Sequence, residues 1–182
     1  MSGERPDVLS SFWAPVCAVG SHGPAGPNAQ ISVSVFGASI VPEQPRLIAG
    51  LYKTNFTTGL VEAAGTLAIS LLGERQAALL ERLGIESGRD GDKMAGLDFR
   101  LTASGDPYFP DAAALIDCRV IDAMDAGDAL FFLCAVTDRC WLTDQEPLDR
   151  FRAIALAGAR FWERWPEKQA TERAISRTVM RW

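Results

Sequence analysis

The densest concentration of chemical capability in the chain is Lys53-Thr54-Asn55-Phe56-Thr57-Thr58. It sets one cation and several hydroxyl and amide groups just ahead of residues 59–64, which read as a helix that Gly65 is placed to end. Free N–H groups and the dipole at a helix N-terminus attract phosphate. Lys53, Thr54, Asn55 and Thr57 are therefore candidates to hold a phosphate monoester. The competing reading is that Asn55 or Thr57 merely caps the helix, because capping uses the same residue types.

A second polar group lies upstream. Residues 29–40 alternate, with Gln30, Ser32, Ser34 and Phe36 on one face of a strand and Ile31, Val33 and Val35 on the other. The polar face either lines a ligand cleft or forms a solvated edge. Phe36 and Trp13 could stack on a planar ligand, although isolated aromatics also serve as core. His22 is the single histidine and falls in a Gly/Pro-rich turn, so no nucleophile–His–acid set can be assembled. Cys17, Cys118, Cys134 and Cys140 contain no C-x-x-C pair, which leaves no zinc site; Cys118 and Cys134 read as small buried hydrophobes. The glycines match neither the dinucleotide fingerprint nor the Walker loop.

The elements that must position these residues are mostly strands. Residues 15–21 form one, and Ser21-His22-Gly23-Pro24-Ala25-Gly26-Pro27-Asn28 turns the chain into the alternating run at 29–40. Residues 46–52 are a short apolar strand leading into the polar turn. Residues 66–72 read as another strand, and 74–83 as a helix with Gly84 as its stop. Residues 114–120 and 130–136 make the clearest hairpin, around Asp125-Ala126-Gly127-Asp128. Residues 151–156 fit either a strand or a helix. Residues 169–182 form an amphipathic helix with Ala174, Ile175, Thr178, Val179 and Trp182 on one side and an arginine stripe on another. Sequential hairpins rather than strand–helix–strand repeats predict a mainly β protein, an antiparallel barrel with a few attached helices.

With 182 residues the chain is expected to form one unit, residues 1–166 as the barrel and 167–182 as a C-terminal helix that packs on it or serves as a dimer arm. A net charge of -5 argues against nucleic acid, whose binding rests on Lys and Arg neutralising phosphates. No apolar run is long enough to cross a membrane, and residues 1–7 lack the basic start of a secretory signal, so a cytoplasmic location is expected.

In their order, these segments resemble the flavin reductase-like, FMN-binding split-barrel family, which includes flavoredoxins and the reductase components of flavin monooxygenases. Pro15-Val16-Cys17-Ala18-Val19 is similar to the opening strand. Asn28-Ala29-Gln30-Ile31-Ser32-Val33-Ser34 with Val35-Phe36-Gly37 resembles the second strand, which in the family lies along the isoalloxazine. Pro45-Arg46-Leu47-Ile48 matches the entry to the third strand. Residues 52–60 resemble the phosphate turn, with Thr54 and Thr57 on its hydroxyl positions. Asp92-Lys93-Met94-Ala95-Gly96 is similar to an Asp-Lys/Arg-Phe-Ala-Gly motif, and residues 125–128 to the turn before the last long strand.

The resemblance implies a Greek-key split barrel, a homodimer, and FMN (or FAD) held by Asn28, Ser32, Ser34, Val35, Phe36, Lys53, Thr54, Asn55 and Thr57. It also implies an oxidoreductase that takes electrons from NADH or NADPH, with an oxygenase as a potential partner. Two departures stand out. Ala129 occupies a position where many members carry His, which favours the alternative of a flavin carrier or storage protein reduced by a partner. Residues 166–182 align with no family segment. A barrel that has lost its ligand and serves only as an interaction domain is the third reading.

Overall fold

The computed structural model describes residues 15–180; Trp13 and Trp182 lie outside them. Its main sheet has seven antiparallel strands: β1 (Cys17–Gly23), β2 (Gly26–Ser32), β3 (Val35–Gly37), β4 (Arg46–Tyr52), β5 (Thr66–Leu71), β8 (Ala114–Asp125) and β9 (Ala129–Trp141). A two-stranded ribbon, β6 (Arg100–Leu101) with β7 (Pro107–Tyr108), stands apart. The helices are α1 (Phe56–Ala64), α2 (Leu79–Ile85), α3 (Arg150–Leu156) and α4 (Ala159–Val179).

Strand order in the main sheet is β2-β1-β5-β8-β9-β4-β3. The two edge strands, β2 and β3, are consecutive in the chain and separated only by Val33 and Ser34. Two residues cannot span a flat sheet of this width, since neighbouring strands lie ~4.8 Å apart. The sheet therefore curls until its edges meet, which is the expected split barrel. At that seam the Gly50 N–H donates to the Ser34 carbonyl (2.7 Å), and Ser32 Oγ donates to the Gly50 carbonyl (3.2 Å).

The seam corrects one expectation. Residues 29–40 are not a single strand; pairing stops after Ser32, where Ser32 Oγ accepts the Ser34 N–H (3.1 Å), and resumes at Val35 on the opposite edge. The alternation itself persists through β2, but its polar face is the buried one. Asn28, Gln30 and Ser32 are all under 7% exposed, whereas Ile31 is only partly covered.

Other boundaries move for local reasons. The segment expected as one helix over 74–83 is a 3-10 turn, Glu74–Gln76, followed by α2, and Gly84 lies inside α2 rather than ending it. A Cβ at Gly84 would stand 3.7 Å from both Ile31 and the Phe161 ring, ordinary contact distance, so this turn of α2 lies between β2 and α4. Residues 151–156 are helical, with Asp149 capping α3 by accepting the Arg152 N–H (2.9 Å). The C-terminal helix starts at Ala159, and Pro166 lies within it instead of before it. Its expected apolar side is not the covered one: Ile175 and Val179 are exposed. Gly65 does end α1, in the left-handed region at φ 69°.

Two apolar clusters flank β1, which is buried on both faces. Cys17 and Val19 point into the barrel with Leu51, Leu67, Ile69 and Phe132. Val16 and Ala18 point out against Leu72, Leu80, Leu83, Met94 and Phe109. Cys17, Cys118 and Cys134 belong to the barrel interior as expected of buried thiols; burial pushes the Cys17 and Cys134 thiols up to about 12, and Cys118 upward as well.

Closure depends on a residue without a side chain at position 50, because a Cβ there would stand 2.7 Å from the Phe131 ring and 3.1 Å from Ser34 Cβ. Gly50→Val is expected to destabilise the fold by about 1–3 kcal/mol through overpacking. Thermal unfolding that matches the wild type would show that the seam does not require this close approach.

Candidate functional site

The closed seam forms one wall of a cavity of about 800 Å3. Gln30, Ser32, Val33 and Ser34 line it from the end of β2 and the seam, and Gly50, Leu51 and Tyr52 from β4. Thr54 and Asn55 come from the polar turn, while α2, α3 and α4 supply the remaining sides.

Two groups in this wall are buried without hydrogen-bond partners among the described residues. Gln30, 2% exposed, has both its amide oxygen and its amide nitrogen unpaired, and Thr54 Oγ1 is also unpaired. A buried polar group left unsatisfied costs about 1–3 kcal/mol. Unpaired polar atoms within the wall of a cavity of about 800 Å3 are groups that a polar, flat ligand can complete. Gln30 offers two donors and an acceptor, which matches the mixed edge of an isoalloxazine, and Thr54 offers a hydroxyl beside a helix N-terminus. The residues present fit a phosphorylated flavin.

The predicted phosphate residues divide into two groups. Thr54 and Asn55 face the cavity. Asn55 occupies the N-cap position of α1, yet its side chain makes no cap hydrogen bond. Thr57 is fully buried and donates from Oγ1 to Asn28 Oδ1 (2.9 Å), which ties α1 to β2. Lys53 Nζ is engaged by Asp125 Oδ1 at 2.6 Å, and the Lys53 N–H donates to the Asp128 carbonyl, so the polar turn is fastened to the β8–β9 turn. Thr58 Oγ1 donates to the Tyr52 carbonyl (2.6 Å). Val35 is buried within the barrel cluster and Phe36 is 44% exposed; neither lines the cavity. Ala129 is buried and pairs with Tyr52 across β4 and β9, next to Asp128 in the cavity wall.

Several contributors are illegible in the residue pattern. Arg89, in a segment with no chemical motif of its own, donates from Nη1 to the Thr54 carbonyl (2.7 Å) and lies over the Phe56 ring. Phe161 and Trp165, part of the far wall, were hidden by the reading of Pro166 as a boundary; their i, i+4 spacing continues through it to Gln169. His22 is not at the cavity: its Nδ1 is 2.7 Å from Oδ1 of the buried Asp106.

The Asp92-Lys93 motif acts as an anchor. Asp92 Oδ1 accepts the Met94 N–H (2.9 Å), Arg82 Nε donates to the Lys93 carbonyl (2.8 Å), and Lys93 Nζ donates to the carbonyls of Leu83 (3.4 Å) and Glu86 (3.2 Å) at the end of α2. Burial, reinforced by Lys168 nearby, pushes the Lys93 amine down to about 8.

Comparison with known proteins follows this geometry closely. The model of the flavin reductase like domain matches residues 9–154. The chain belongs to that family. With the family comes the class, a flavin reductase-like, flavin-dependent oxidoreductase. The flavin reductase-like chain is 31% identical over 124 residues to NADH:riboflavin 5'-phosphate oxidoreductase of Streptomyces pristinaespiralis, covering 67% of this chain and 68% of that protein. It is 32% identical over 123 residues to high molecular weight rubredoxin of Moorella thermoacetica, a match that takes in 66% of this chain but only about half, 53%, of that relative. Among solved structures it resembles nitrilotriacetate monooxygenase component B from Mycobacterium thermoresistibile, with a TM-score of 0.68, 26% identity, and coverage of 77% and 75% of the two chains. The matched domain ends at 154, so α4 lies beyond it.

The Lys93 anchor has a defined pH signature. Unfolded, the amine keeps its proton to its ordinary value of 10.5; folded, it loses it at about 8. Between those values the unfolded chain binds more protons, so this group's contribution to stability rises with pH. The difference in unfolding free energy between wild type and Lys93→Met is expected to climb from pH 8 to 10.5. A flat difference across that range would contradict the burial-depressed amine.

Proposed function

We propose that this protein is an NAD(P)H:flavin oxidoreductase that binds FMN in the cavity beside the seam, and that Gln30 and Thr54 complete their hydrogen bonding on the flavin. The Gln30 amide and Thr54 hydroxyl, buried and unpartnered among the described residues in the wall of one cavity, are the observation that carries this reading. The related NADH:riboflavin 5'-phosphate oxidoreductase supports the choice of FMN and of NADH as reductant. Once bound, FMN would supply the redox chemistry by accepting hydride from the nicotinamide and passing electrons on.

The side chains bind and orient. Thr54, Asn55 and the N–H groups opening α1 would take the phosphate. Lys53 would contribute positive potential from its place beside Asp125, and Arg89 would hold the turn through the Thr54 carbonyl. Asn28 and Thr57 fix α1 on β2, and the seam fixes Ser32 and Ser34 beside the ring, with Val35 and Phe36 continuing that strand on the opposite edge. None of these residues is required as an acid or base.

A homodimer and an oxygenase partner are part of the same proposal. Ile121 and Met124 leave large apolar side chains exposed toward the turn end of the long β8–β9 arm, where a second copy would dock. The resemblance to a monooxygenase component supports an oxygenase as consumer of the reduced flavin. A cytoplasmic setting suits four free thiols. A sedimentation mass of a single chain would remove the second copy from the proposal.

Thr54→Val and Gln30→Leu are each expected to weaken FMN binding about tenfold, the equivalent of one hydrogen bond. Lys53→Ala should weaken it less. Flavin-fluorescence titration measures all three, and wild-type affinity in both Thr54→Val and Gln30→Leu would place FMN elsewhere.

A further inference from the structure

The α4 helix turns one face to the cavity. Of its half-covered residues, Phe161, Trp165, Lys168, Gln169, Glu172 and Ser176 line the cavity that Ile31, Ser32 and Ser34 also line, while Arg164 turns toward α2. The face is aromatic at its first two turns and polar afterwards, where Lys168 and Glu172 pair with each other at 2.8 Å. Phe161 and Trp165 stack nearly parallel, 15° apart with centroids at 5.3 Å. The aromatic end lies next to the outer face of β2, because Phe161 and Ile31 both approach Gly84 and Ile31 lines the same cavity. Exposed ion pairs from Arg160 and Arg164 to Glu81 hold the helix against α2.

A barrel that needed α4 only as cover would be expected to bury part of it, yet no residue of α4 is fully buried. Six of its seven partly covered residues line the cavity.

We propose that α4, which lies outside the matched family domain, is the second wall of the flavin site, with Phe161 and Trp165 forming an aromatic platform for the isoalloxazine face that β2 leaves open. The inference rests on the FMN reading above. Stacking between aromatic rings needs no hydrogen-bond match, and it complements the polar edge contacts that Gln30 offers. Covering that face excludes water and keeps the flavin bound as a resident group. Trp165 is thus a positioning residue.

The test uses the full chain and FMN itself. Trp165→Ala should weaken FMN binding about tenfold, as loss of one stacking partner does, while Trp165→Phe should restore most of it. Ile175→Ala, on the exposed side of the same helix, should bind as the wild type does. Saturating FMN should quench tryptophan emission in the wild type, and Trp165→Phe should remove a major share of that quenching. Wild-type affinity in Trp165→Ala, or quenching unchanged in Trp165→Phe, overturns the platform even when Thr54→Val still weakens FMN. If the wild type takes up no FMN, both the platform and the flavin reading fall together.

Discussion

Two residues, Val33 and Ser34, join the opposite edges of a seven-stranded sheet, and this short covalent link is what the rest of the molecule answers to. Because the link is so short, the sheet must curl, and because it must curl, β4 has to approach the seam at a residue with no side chain, Gly50. Ser32, just before the link, and Ser34, within it, then bond to the Gly50 backbone rather than to solvent. Closure also decides which face of β2 is inside. Asn28, Gln30 and Ser32 become buried polar residues, a costly arrangement unless each finds a partner. Asn28 finds Thr57 and Ser32 finds Gly50; Gln30 finds none among the described residues. The cost of closure is therefore concentrated at one amide, carried by a residue of the cavity wall.

The polar turn and the β8–β9 turn are coupled to the same frame. Register between β4 and β9 brings Tyr52 opposite Ala129, so the turns that follow and precede those residues are adjacent, and Lys53 meets Asp125. One side of the turn is thus consumed in holding the scaffold, while Thr54 and Asn55 on the other side remain directed at the cavity. A ligand phosphate would meet backbone and hydroxyl groups held in place before binding, with little ordering cost left to offset.

Much of this was legible in the residues because period-two alternation and turn chemistry are local. The β1–β2 and β8–β9 hairpins, the polar turn and the Gly65 stop all follow from neighbours a few positions apart. What local pattern could not show was direction. Alternation at Gln30 and Ser32 says that two faces differ, but burial of the polar one depends on a seam formed with residues about twenty positions away. The role of Arg89 depends on a loop folding back on Thr54, and that of Lys93 on carbonyls at the end of α2. Pro166 misled for a related reason: proline disfavours a helix interior by removing one backbone donor, but here the flanking turns are held by Phe161 against Gly84 and by arginines to Glu81. The family match, ending at 154, carries the barrel and leaves α4 to be understood from its own contacts.

The central claim is that flavin completes this cavity and is reduced there. Its most direct test is the visible absorption spectrum of the purified full-length protein, recorded under anaerobic conditions before and after addition of FMN and then of NADH. The account predicts that protein-bound flavin bands appear with FMN and bleach with NADH. Flavin bands that persist after both NADH and NADPH would contradict the reductase and leave a carrier that depends on a partner, and failure to take up FMN at all would contradict the site itself.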